Sequence, residues 1–164
     1  MTIVHRSGHK RRSKMVNAGL LLVSALFFAS NPVRPQSKAS IPETDRIRIA
    51  EAYRLADSVQ NMIWPDWNRA PFALMLVTND YEYLIGHPHA TNNFDTLGVD
   101  QTFGRRVLYR KRLFPTNLLA TFPAINGVST IVVGRPENTN ASNSSAWVVT
   151  ILHEHFHQYQ QSQP

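Results

Sequence analysis

Apolar and polar positions change period several times along this chain, and each change marks an element. From Thr44 to Ile63 the apolar residues Ile49, Ala52, Tyr53, Ala56, Val59 and Ile63 recur at three- and four-residue intervals, the stripe of an amphipathic helix, and Trp64-Pro65 ends it. The period then shortens. Phe72 to Thr78 and Tyr81 to Ile85 read as two strands about an Asn79-Asp80 turn, followed by strand candidates at Arg106 to Leu113, Leu118 to Phe122 and Ser129 to Val133. A polar loop from Gly134 to Ser145 leads into Trp147 to Gln161, about fifteen residues without Gly or Pro, preceded by the N-cap formers Asn143, Ser144 and Ser145. The fold class expected is α+β: an N-terminal helix, a small mixed sheet, then a second helix.

That last segment has one competing reading. Val148, Val149, Thr150 and Ile151 are β-branched, and on a strand His153, His155 and His157 would all point to one side. Helix is favoured by its length and by Gln158, Gln160 and Gln161 at its end. At about 100° per residue, Val148, Ile151, Leu152, His155 and Tyr159 then share a broad face opposite His153 and His157.

The N-terminus obeys a different pattern. Arg6, Lys10, Arg11, Arg12 and Lys14 precede an apolar run from Met15 to Ser30, which reads as a secretory signal over residues 1–30. Residues 31–40, with Pro32 and Pro35, read as a linker, and 41–164 as the folded domain. The expected location is secreted or periplasmic, with an uncleaved anchor in the inner membrane as the alternative. The apolar run is shorter than the ~20 residues that span a bilayer comfortably.

The leader also changes the meaning of the net charge of +6. Seven of the 17 basic residues and none of the 11 acidic ones fall at or before Ser40, leaving ten basic against eleven acidic, a net of −1, in 41–164. The basic character belongs to targeting, so nucleic acid is not an expected partner. Arg105, Arg106, Arg110, Lys111 and Arg112 cluster around Val107, Leu108 and Tyr109, which reads as a half-exposed strand with a solvated edge. With no Cys in the chain, stability outside the cell has to come from the core or from metal.

Chemistry is concentrated at His153-Glu154-His155-Phe156-His157, an HExxH pattern. Residues four apart on a helix stand one above the other, so His153 and His157 can offer two imidazoles to one ion, with Glu154 one step around. A zinc ion so held lowers the pKa of a bound water to roughly 7, and a neighbouring carboxylate can take its proton as it attacks a carbonyl carbon. Glu154 is thus the candidate general base, and His153 and His157 the candidate Zn²⁺ ligands. His155 reads as a packed or surface histidine. His87 and His89 lie beside Gly86 and Pro88 and read as loop residues, although either could reach a metal.

Around the motif the chain resembles the zincin metallopeptidases. Thr150 lies three before the first histidine, uncharged Ile151, His155 and Phe156 occupy the flanking and internal positions, and bulky Tyr159 follows. The likeness covers about ten residues. Gln160 and Gln163 stand where the metzincin extension needs Gly and His, so the gluzincin-like branch is the one implied. In that branch a third ligand comes from a helix further along, so the resemblance implies a peptidase domain represented here by its N-terminal part. The 164-residue chain alone is then expected to bind zinc weakly and hydrolyse little. The resemblance also implies a peptide or protein substrate lying along one of the last strands, which the sequence does not single out. The competing class is a non-catalytic extracytoplasmic binding or structural domain with an incidental or vestigial metal site.

Overall fold

The structure, a computed structural model, describes residues 38–59, 62–89, 93–141 and 143–164. The expected signal at 1–30 lies outside the described residues, as does most of the linker. Two helices, α1 (Glu43–Val59) and α2 (Ser144–Ser162), pack on one face of a six-stranded mixed sheet: β1 (Leu74–Val77), β2 (Tyr81–Ile85), β3 (Asp95–Val99), β4 (Arg106–Lys111), β5 (Leu119–Ile125) and β6 (Val128–Gly134). The order across the sheet is β3-β4-β2-β1-β6-β5, with β1 and β6 parallel and every other pair antiparallel. The α+β class expected from the pattern is the class observed. Among the described residues, no helix is long and apolar enough to cross a membrane.

Central β1 reads Leu-Met-Leu-Val because both of its faces are covered. Leu74 and Leu76 join Ile131 and Val133 of β6 under the helices, where they meet Ile49, Tyr53, Trp147 and Ile151. Met75 and Val77 point the other way, to Leu84, Leu108 and Val132, and that side is closed by Phe94, Phe114, Leu118 and Phe122. Trp147, fully buried, also donates its indole N–H to the Gly134 carbonyl at 2.9 Å, which fixes the start of α2 to the end of β6. Asn143 caps α2, its side-chain oxygen accepting from the Ala146 N–H at 2.9 Å.

The extent of the first helix and the place of the basic run differ from expectation. The first helix stops at Val59, four residues before Ile63, which is 55% exposed. Its first turn buries a carboxylate: Asp45 accepts from Arg48 at 2.8 Å and from Arg135 at 2.6 Å, tying α1 to the loop after β6. The basic run at 105–112 is not a solvated edge, because β3 covers β4 and makes it internal. Its charges are engaged locally. Arg110 pairs with Glu82, Lys111 lies over the Tyr81 ring, and Arg112 donates to the Asn79 and Phe114 carbonyls. β3 itself had no signal, since its side chains are largely exposed and it is broken by a bulge between Thr96 and Gly98. The last linker residues are also docked: Ala39 is buried, and Ser40 exchanges two hydrogen bonds with the Tyr83 hydroxyl, at 3.0 and 2.8 Å.

β5 and β6 form a hairpin around Asn126-Gly127, whose φ values of 48° and 75° are the left-handed pair that a tight two-residue turn requires. β5 is an edge strand, and it lies beside α2. The Gly134 N–H donates to the Leu118 carbonyl at 2.8 Å, so by the alternation of an antiparallel ladder Leu118, Ala120 and Phe122 turn their backbone groups toward β6. Leu119 and Thr121 turn theirs outward. Pro123 lies in the irregularity between Phe122 and Ile125, where the regular pairing is broken.

Candidate metal centre

The segment 153–157 is helical, so the three alternating histidines do not share a side. His155 points inward, buried, with its ring stacked on Phe72 at 4.1 Å between centroids and edge-on to Trp67. Its Nδ1–H donates to Gln158 Oε1 at 2.9 Å, and Gln158 in turn donates to the Ala73 and Ser129 carbonyls. Burial pushes the His155 pKa below the ordinary histidine value, against the opposing pull of the Gln158 hydrogen bond. It is a packing residue.

His153 and His157 emerge on the opposite side, one turn apart. Their Nε2 atoms approach to 3.1 Å. For zinc, two nitrogens about 2.0–2.1 Å from one ion and this far apart subtend an angle of about 95–100° at the metal, compatible with a distorted tetrahedron. A carboxylate oxygen of Glu154 completes the cluster, with the three ligand atoms all within 4.8 Å of one another. The group His153, Glu154 and His157 could therefore hold a metal ion. Among the described residues no other His, Cys, Asp or Glu joins such a cluster. His87 is engaged elsewhere, with Nδ1 beside the His89 backbone and Nε2 3.3 Å from the Ile125 carbonyl oxygen.

Two further contacts surround this cluster. Gln160 Oε1 lies 2.9 Å from His157 Nδ1 and accepts its N–H, which places the lone pair of a neutral His157 on Nε2, where a cation would sit. The other contact is to β5. Thr121 Oγ1 lies 2.6 Å from Glu154 Oε2 and 3.2 Å from the Glu154 carbonyl oxygen. Glu154 is only 8% exposed, whereas His153 is exposed and His157 half-buried, so the imidazoles are open to solvent and the carboxylate sits in the angle between helix and edge strand. Gln160 could have been found from its i+3 offset to His157. Thr121 is 33 residues away in sequence and offered no such signal.

Gln160→Ala is expected to weaken divalent-metal binding at this cluster by about tenfold, at the lower end of what loss of an outer-sphere partner to a ligating histidine produces. Competition against a chromogenic chelator measures it, and an unchanged affinity would mean that the Gln160 contact does not orient the ring.

No family model matches the chain, and no curated protein or solved structure matches it to a significant degree. What the site can do therefore rests on its own side chains.

Proposed function

We infer that the chain carries the zinc-binding motif of a metallopeptidase active site of zincin type, in its gluzincin-like form. The observation that carries this reading is the 3.1 Å convergence of the His153 and His157 Nε2 atoms beside the Glu154 carboxylate on one helix. Two neutral imidazoles with a carboxylate one residue on are a donor set suited to zinc. When bound, zinc acts as a Lewis acid toward a peptide carbonyl and makes water acidic enough to lose a proton near neutral pH.

The side chains supply the rest. Glu154 takes the proton of the attacking water and returns it to the departing amide nitrogen, work for which a carboxylate held within reach of the cluster is suited. The outward backbone groups of Leu119 and Thr121 on the β5 edge can pair with an extended peptide. That assignment names the strand along which a peptide or protein substrate would lie. The basic, apolar leader supports export, so the proposed substrate is extracytoplasmic.

Zinc content and casein cleavage by the complete natural polypeptide containing these residues test the reading. One zinc per chain, lost in His153→Ala together with cleavage, is expected. Zinc bound without cleavage would favour the non-catalytic metal-binding class, and no zinc uptake would reduce HExxH to coincidence.

A further inference from the structure

We propose that Thr121 is a positioning residue for Glu154, and that through it the edge strand holds the general base in its working orientation. The role rests on the peptidase reading above. Thr121 Oγ1 carries a single proton and has two acceptors near it on Glu154. The carboxylate oxygen at 2.6 Å is much closer than the carbonyl at 3.2 Å, so the hydroxyl donates there. The bond to Oε2 ties one carboxylate oxygen to β5 and so limits how the carboxylate can turn. A Glu side chain on a helix has three rotatable bonds to fix. The rest of Glu154 is held only by burial between α2 and β5, and the Thr121 hydrogen bond selects one carboxylate orientation.

A strand does not itself require this hydroxyl. Valine has the same shape and at least equal strand preference, so Thr121 is distinguished by where its oxygen points. Its backbone adds a second link. The Thr121 N–H and C=O face the open edge of β5, the side on which a substrate strand would pair, while its side chain faces α2. One residue thus touches the base with its side chain and offers its main chain to the peptide. Substituting the side chain leaves the main-chain pairing intact, so the effect belongs in kcat and not in KM.

The test compares wild type, Thr121→Val and Thr121→Ser in the complete polypeptide, with zinc content measured beside kcat and KM on a fluorogenic casein-derived peptide. Thr121→Val is expected to lose about 10- to 100-fold in kcat with KM within about twofold, at unchanged zinc stoichiometry. Thr121→Ser keeps the hydroxyl and is expected to restore kcat to within about threefold of wild type. If Thr121→Val does not fold, as judged by circular dichroism, Thr121→Ala removes the same hydroxyl without bulk and carries the same expectation. Wild-type kcat without the hydroxyl, or a change confined to KM, overturns this role and leaves the peptidase reading standing. A zinc-loaded wild type that cleaves nothing overturns that reading and this role together.

Discussion

On the proposed peptidase reading, Glu154→Gln is expected to keep its metal and to lose about 10²–10⁴-fold in the rate of peptide cleavage, the contribution typical of a positioned general base. On the barrier that is about 2.7–5.5 kcal/mol. The substitution is nearly isosteric. The amide oxygen can still accept from Thr121, and neither His153 nor His157 is touched, so the geometry of the cluster should survive. What disappears is the carboxylate's ability to hold a proton. His153→Ala acts differently, removing one of the two converging nitrogens and with it the metal. Steady-state cleavage with zinc analysis on the same preparations separates the two. Glu154→Gln retaining wild-type rates would exclude Glu154 as the base, and Glu154→Gln losing zinc would make it a ligand.

Glu82→Ala is expected to remove about 3–5 kcal/mol of stability, the loss that follows when one partner of a buried ion pair is deleted. Glu82 is completely buried on β2, on the face of the sheet away from the helices. One carboxylate oxygen accepts from Arg110 Nε at 2.7 Å across the β2–β4 ladder, where the two residues are in register. The other accepts from the Leu113 N–H at 2.7 Å and from the Phe114 N–H. Those two N–H groups begin the connection from β4 to β5, and Phe114 helps close the second core. Without the carboxylate, a mostly buried guanidinium lying 4.4 Å over the Phe94 ring loses its anion, and two backbone donors lose their acceptor. Against a typical domain stability of about 5–15 kcal/mol, such a loss is a large share. Glu82→Gln keeps an oxygen for the two N–H groups and should lose less. Urea unfolding measures both, and an Ala variant within about 1 kcal/mol of wild type, the range of surface pairs, would show that water replaces the carboxylate.

Glu82 also shows how a correct local reading can mislead. In Tyr81-Glu82-Tyr83-Leu84-Ile85 the glutamate is the one charged residue, a type that is mostly exposed. Its face of the sheet is instead covered by Phe94 and Phe114, which arrive from strand connections with no regular period. Asp45 is the same case on α1. As an acidic residue in a first helical turn it suits the helix dipole, but its complete burial follows from Arg135, ninety residues away.

Most of the secondary structure and the clustering of the motif residues were legible along the chain. Apolar periods depend on neighbours only a few residues apart, so both helices and five of the six strands were legible, and His153, Glu154 and His157 fall together wherever a helix forms. Tertiary structure decided what lies against them. β3 has no buried face of its own and exists because β4 offers it hydrogen bonds. β5 lies with β6 against the HExxH helix, and the β5 group that meets Glu154 is the Thr121 hydroxyl. No local pattern encodes these pairings. They depend on how the whole sheet is ordered, which is set by burying two separate cores at once.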